Sequence, residues 1–222
     1  MNVALFRKEF TEEPWTLPQG WCWSHLGEIL PLNYGKALPE RTRDADGDFA
    51  VFGSSGPVGK HSAWLAPPQS VLVGRKGSAG AVFYSEEPTW PIDTAYFATG
   101  SATVDARFGF WFLSFIKLRR FDQSTAIPSL SRDIYNDIPV PVAPIAEQRR
   151  IVARIDVIFD EIAEGERALD AARKGLETYR RALLKSAVIG ELTGEWRDTE
   201  AAARTGEETS RSLLARIRAE RG

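Results

Sequence analysis

The sequence predicts an α+β protein, a mixed α/β globular domain followed by a long coiled-coil α-helix, and three observations carry that prediction. Residues 1–144 are rich in Gly, Pro and aromatics and hold short β-prone runs, FAVFG, SVLVGRKG, AVFYS, DTAYFATG and DIPVPV, each broken by Gly or Pro. One segment among them, FGFWFLSFIKLRRF (Phe108–Phe121), instead spaces Phe108, Trp111, Phe112, Phe115, Ile116 and Leu118 as a helical face. From Ile145 onward the apolar period becomes 3.5 residues and holds for about five heptads.

A chain of 222 residues, 43% hydrophobic, can bury one core of ordinary size and still carry an elongated appendage. Most of its seven tryptophans are expected in that core. The single cysteine, Cys22, excludes an intramolecular disulfide and leaves too few thiols for a thiolate metal site. The opening MNVALFRKEFTEEPW has neither the cationic end nor the apolar run of a signal peptide, and no stretch of about 18 apolar residues follows, so no membrane contact and a cytoplasmic location are expected. Net charge is −2, with 13 Lys+Arg against 15 Asp+Glu in residues 1–145 and 15 against 15 in residues 146–222. A strong, autonomous nucleic-acid binder would show excess positive charge, so only local basic clusters can serve that purpose.

Pro139, Pro141 and Pro144 keep the exit from the first domain extended, because a residue before proline is steered away from the helical region. The helix is expected to begin where they stop, over 145–190, with Glu147 complementing the dipole of the first turn and Gly190 as its stop. Its seam reads Ile151, Ile155, Ile158, Ile162, Gly165, Leu169, Ala172, Leu176, Tyr179, Leu183 and Ser186. One heptad position is large throughout, whereas the other shrinks to Gly165, Ala172 and Ser186, which lets a partner helix approach closely. At 1.5 Å per residue such a helix is about 65 Å long, so much of it must pack on something other than residues 1–145. Residues 191–222 read as a polar linker ending in a short amphipathic helix, SLLARIRAER.

Glycine-rich stretches raise the question of phosphate binding. GSSGPVGKHS (Gly53–Ser62) fails the P-loop pattern twice, with Ser54 where a glycine is needed and His61 where Ser or Thr is needed. VLVGRKGSAGAVFY (Val71–Tyr84) lacks the dinucleotide spacing and joins two apolar runs as a strand–turn–strand. Its turn nonetheless offers Arg75, Lys76 and Ser78 on backbone that glycine brings close to a ligand. No nucleophile–base set or metal site emerges: Cys22 and His25 read as packing residues, and Asp44, Asp46 and Asp48 as a solvated turn.

Taken in order, LPQGWCWSHLGEI, YGK, VFGSSGPVGKH, VLVGRKGSAGAVFY, STAIPSLSRDIYNDIPVPV and APIAEQRRIVARID resemble one half of a specificity subunit of a type I restriction-modification enzyme. In that family a full subunit carries two target-recognition domains, each followed by a long helix, and each domain reads half of a split target. The resemblance implies a non-catalytic DNA-binding role for 1–144 and a spacer or dimerisation role for 145–190. It implies as partners double-stranded DNA, DNA adenine methyltransferase subunits and a restriction/translocase subunit. S-adenosylmethionine and ATP would sit on those partners, with no cofactor in this chain. This sequence holds one recognition domain and one long helix, so it is either a half-length subunit that pairs with itself or with a second half, or a fragment of a longer one.

Candidate DNA contacts are Ser54, Ser55, Lys60 and His61 in the first glycine loop and Arg75, Lys76 and Ser78 in the second, followed by Lys36, Arg41, Arg43 and Thr94. Lys117, Arg119 and Arg120 either touch phosphate or cap a helix C-terminus. Two other classes compete: a coiled-coil adaptor whose globule binds protein, and a nucleotide-binding enzyme whose phosphate loop is already lacking.

Overall fold

The computed structural model describes residues 16–121, 128–200 and 209–221. The β-prone runs all form strands, and nine are described: β1 (Cys22–His25), β2 (Asn33–Tyr34), β3 (Phe49–Gly53), β4 (Gly56–His61), β5 (Ser70–Gly74), β6 (Val82–Ser85), β7 (Thr89–Pro91), β8 (Ala95–Thr99) and β9 (Pro139–Val142). The described α-helices are α1 (Leu26–Ile29), α2 (Ala106–Ile116), α3 (Arg132–Asn136), α4 (Ile145–Val188), α5 (Gly194–Glu200) and α6 (Ser210–Arg221). Strands assemble as a four-stranded sheet β2-β8-β5-β6, a three-stranded sheet β4-β3-β7 and a ribbon β1-β9. Pairing is antiparallel except between β3 and β7. The mixed α/β class followed by a long helix is therefore present, and two compact units divide at Ile158/Phe159, within α4.

In the first unit the core forms where α2 packs on β5 and β6. β5 is buried along its whole length, which fits its unbroken SVLV run. Asp105 caps α2 by accepting the N–H groups of Arg107 and Phe108 at 2.9 and 3.2 Å. Phe108, Phe112 and Ile116 form the buried stripe, joined by Gly109 and Leu113. A side chain at Gly109 would begin 2.6 Å from a methyl of Leu30, the residue that ends α1, so a larger residue there would push that leucine aside. Tyr135 of α3 is fully buried and donates to the Leu30 carbonyl at 2.8 Å, and burial pushes its phenol above the usual tyrosine range.

The expected helical face is corrected at its far end. The helix stops at Ile116 because Lys117 turns left-handed (φ 54°), and Leu118 reaches the core from a separate 3₁₀ turn, Leu118–Phe121. Phe115 stays mostly exposed. The tryptophans also depart from expectation, since none of those described is fully buried. Indole N–H groups need acceptors, and three find them at the periphery: Trp21 on Glu147, Trp90 on the Lys36 carbonyl and Trp111 on Asp156. Cys22 and His25 are exposed rather than packed, because β1 belongs to a ribbon with no third strand to cover it.

That ribbon sets the exit. Pairing of Trp23 with Pro141 and of His25 with Pro139 is compatible with two prolines because a two-stranded ribbon leaves each strand one open edge. The Pro144 carbonyl then accepts the N–H groups of Glu147 and Gln148, opening α4. Gln148 is wholly buried, accepting from the Asp105 N–H at 2.8 Å and donating to the carbonyls of Thr103 (3.0 Å) and Ala143 (2.8 Å). Two turns further, Asp156 pairs with Arg107 at 3.0 Å, and Arg107 also holds Glu86 and covers the Tyr84 ring.

The second unit begins at Phe159 and contains the rest of α4. The helix ends two residues before Gly190, which adopts φ +80° as a left-handed stop. Arg197 of α5 reaches back to the Gly190 carbonyl and the Thr193 hydroxyl. The 191–200 part of the expected linker is thus helical turns, whereas 201–208 lie outside the described residues. Replacement of Gln148 by Leu leaves three backbone groups without partners and should cost roughly 2–4 kcal/mol. A urea midpoint close to wild type would contradict this, while Arg150→Ala on the exposed side should shift it by less than about 0.5 kcal/mol.

Candidate nucleic-acid interface

The two glycine-rich turns meet. β3 and β4 form a hairpin whose pairing runs from Phe49–His61 to Gly53–Gly56, leaving Ser54 and Ser55 as its two-residue turn. β5 and β6 form the second hairpin, and residues 75–81 make a compact loop closed by Gly74 N–H to Ala81 carbonyl at 2.7 Å and Gly80 N–H to Gly74 carbonyl at 2.8 Å. A Cβ at Gly74 would collide with the Ser78 carbonyl oxygen and sit 2.8 Å from that of Ser54, so glycine is what lets these turns touch. At Gly77, whose φ is +80°, the same construction lies 3.6 Å from the Ser54 hydroxyl.

Two further segments fix the second loop. The N–H groups of Arg75 and Lys76 both donate to the Thr94 carbonyl, at 2.9 and 3.3 Å. On its other side Leu130 N–H donates to the Arg75 carbonyl and Gly77 N–H to the Pro128 carbonyl, with Lys76 bridged to Ser129. The Arg75 side chain bonds the Asp93 carbonyl at 2.9 Å and lies against the rings of Tyr34 (5.1 Å) and Tyr96 (5.8 Å). Lys76 is exposed, and Ser78 is half-buried. Ser54, Arg75, Lys76, Ser78 and Thr94 are therefore brought to one place, Thr94 through its backbone.

A second group collects around β4. Lys60 and His61 lie on this strand, not in a loop as the sequence reading had them, because the strand begins directly after Ser55. Lys60 is exposed, and His61 meets Trp90 edge to face at 5.2 Å with its Nδ1 buried and unbonded. Trp90 leads on to the Lys36 carbonyl. Arg43 donates to the carbonyls of Leu38 and Val58 at 3.3 and 2.8 Å, bracing β4. Arg41 is exposed on the 3₁₀ turn Glu40–Thr42, and Ser55 and Lys36 are exposed as well. Arg119 and Arg120 lie exposed on the 3₁₀ turn that closes α2, and Gly80 packs on its backbone.

Two residues escaped the sequence reading. Tyr34, half exposed on β2, pairs across the sheet with Tyr96, and Arg132, the first residue of α3, covers the Tyr34 ring at 5.1 Å. The YGK motif marked the place, but nothing in the local sequence announces an arginine almost a hundred residues away. Among the described residues no group of three or more His, Cys, Asp or Glu could hold a metal, and no helix is long and apolar enough to cross a membrane.

The seam residues have the exposure expected of an unfilled interface. Ile151 and Ile155 are half-buried, whereas Ile158, Ile162, Leu169, Ala172, Leu176, Tyr179 and Leu183 are exposed, Leu169 by 72%. Apolar exposure extends beyond the seam to Val157 and Leu184.

A family model described as the type I restriction modification DNA specificity domain matches residues 18–169. The type I restriction enzyme EcoDI specificity subunit of Escherichia coli is 27% identical over 188 residues, covering 82% of this chain and 40% of that protein. The EcoBI specificity subunit of Escherichia coli is 33% identical over 82 residues, 37% of this chain and 17% of that protein. Among solved structures, a chain from work on complex assembly and conformational transition of the type I R-M system has a TM-score of 0.66 at 21% identity, covering 83% of this chain and 50% of its own. The HsdS subunit from Thermoanaerobacter tengcongensis has a TM-score of 0.56 at 24% identity, covering 75% of this chain and 44% of that one. These likenesses carry the fold, and the chain spans half or less of the length of each protein.

The geometry separates loop residues by role. Lys76→Ala should cost roughly 1–3 kcal/mol of selective DNA binding and relax preference at one base pair. Arg43→Ala should lower thermal stability and leave sequence preference alone. Selection-based binding profiles of the two variants, recorded with a methyltransferase subunit present, check this; equal profiles would place the reading loop elsewhere.

Proposed function

This chain belongs to the type I restriction-modification DNA specificity family, and from that membership we propose that it reads one half-site of a bipartite double-stranded DNA target and docks methyltransferase and restriction subunits. The observation that carries the reading is the convergence of the Ser54 turn, the Arg75–Ser78 loop and Thr94 at one place, where glycine lets the two turns pack together and Ser55 and Lys76 stand exposed. Near-neutral charge fits a recognition domain that reads bases while its partners supply much of the phosphate contact that dominates affinity. The chain itself performs no chemistry and holds no cofactor; S-adenosylmethionine and ATP belong to the partner subunits, and the assembly works in the cytoplasm.

The exposed seam supports pairing of two chains along α4 as a homodimer. A second reading rests on the length of the chain, which spans 40% of the EcoDI specificity subunit: as a piece of a longer protein, its seam would meet a second helix of the same polypeptide. The DNA target decides between them. A homodimer with a twofold axis specifies a split palindrome with equal inverted half-sites, whereas two unlike domains specify unlike halves.

Three outcomes follow. The purified chain should neither methylate nor cut DNA nor hydrolyse ATP, and activity that persists after removal of all partners would contradict the assignment. Insertion of one heptad after Leu176 keeps the seam in phase and lengthens the helix by about 10 Å. In the homodimer the preferred spacer should then grow by about three base pairs with both half-sites unchanged, as mapped by methylated-motif sequencing. Ile162→Asp with Leu169→Asp should abolish pairing in sedimentation experiments, since charges would be buried without partners; a wild-type chain that is monomeric at micromolar concentration defeats the homodimer.

A further inference from the structure

Two cations lie on the Tyr34 ring. Arg75 and Arg132 each bring their guanidinium carbon to 5.1 Å from its ring centroid, and Tyr96 packs edge-on at the same distance. A cation over an exposed ring gains only about 0.5–1 kcal/mol. Two like charges on one ring lie within about a Debye length of each other at 0.1 M salt, so each opposes the other. Among the described residues neither guanidinium meets a carboxylate, although Arg107, in the same domain, takes two. Arg75 has its Asp93 carbonyl. The Arg132 side chain has no hydrogen bond to a described residue, and its Nε is buried without one. The bonds that join Pro128, Ser129 and Leu130 to the Arg75–Gly77 loop bring Arg132, two residues further on, to this ring.

We propose that Arg132 is a DNA-phosphate contact: its guanidinium, laid on the Tyr34 ring that Arg75 also covers, offers the N–H donors of its terminal nitrogens to a backbone oxygen next to the base pair read from the Arg75–Ser78 loop. An anion there relieves the repulsion between the two cations and supplies the acceptors that the protein withholds. Arginine suits the place because a planar guanidinium can stack on the ring and still present its edge to phosphate oxygens. Tyr34 acts as the positioning residue, fixing the plane of the guanidinium. The inference rests on the DNA-recognition reading and adds a residue and a role to it.

Salt dependence tests it, because a phosphate contact releases counterions and a structural residue does not. The full chain with its methyltransferase subunit is titrated with cognate and scrambled duplexes over a range of salt concentrations, as wild type, Arg132→Ala, Arg132→Gln and Arg132→Lys. Arg132→Ala and Arg132→Gln should weaken both duplexes alike, by about tenfold. They should also make the slope of log K against log salt shallower by about 0.9. Arg132→Lys should keep the slope while losing affinity, since it keeps the charge but not the planar stack. Should Arg132→Ala melt early, Arg132→Gln carries the comparison. An unaltered slope in a folded Arg132→Gln, or a relaxed preference at one base pair with the slope intact, overturns the inference while selective wild-type binding stands. Wild-type assemblies that bind both duplexes equally would instead bring down the DNA-recognition reading itself, and this inference with it.

Discussion

The amide of Gln148 organises the first of the two compact units. It is wholly buried, and all three of its hydrogen bonds go to backbone: one from Asp105, one to Thr103 and one to Ala143. A buried amide with every partner present rigidifies its surroundings, whereas a partly satisfied one would be costlier than an apolar side chain. The same Asp105 whose N–H it accepts also caps α2, so the position of the core helix and the start of α4 are set by one side chain. Val152 and Asp156 continue that face at helical spacing, the first by burial and the second through Arg107 and Trp111. What the sequence shows as AEQRRIV is a helix entry with a fixed azimuth.

The Arg75–Ser78 loop presents polar donors without losing its own shape by drawing support from three directions. Thr94, Pro128 and Leu130 supply or take its backbone hydrogen bonds, while Ser54 abuts its glycines. The exposed Lys76 side chain can then differ without unmaking the loop. Arg43 likewise donates to backbone carbonyls, those of Leu38 and Val58, and so braces β4.

Legibility in the sequence followed periodicity and backbone chemistry. Strands β3, β5, β6, β8 and β9 were visible as short β-prone runs broken by Gly or Pro, whereas β1, β2, β4 and β7 were not, and α4 stood out as a 3.5-residue seam ended by a glycine. The helix 108–121 was overextended because a left-handed Lys117 leaves no signature, and Leu118 continues the apolar spacing by coincidence. Tryptophan positions were misjudged for want of hydrogen-bond information: Trp21, Trp90 and Trp111 are placed by acceptors on distant segments. The same cause hid Arg132 and Tyr34, whose meeting depends on β2 pairing with β8 and on the 128–130 segment bonding to the second loop. The Ser54 and Arg75 turns stood out in the sequence by their glycines, and their contact with each other did not.

The Gln148 joint also dictates where such a chain can be cut and rejoined. A chimaera spliced at the proline-to-helix border would place Ala143, Thr103 and Asp105 from one parent beneath a glutamine from the other, and any mismatch would leave buried amide groups unbonded. A crossover placed after Ile158 keeps the glutamine, Val152 and the Arg107–Asp156 pair with the domain they were shaped against. Only the heptad register must then match across the seam, and leucine and isoleucine tolerate exchange far better than a three-bonded amide does. The tolerant junction therefore lies inside the helix, about four turns past its visible beginning.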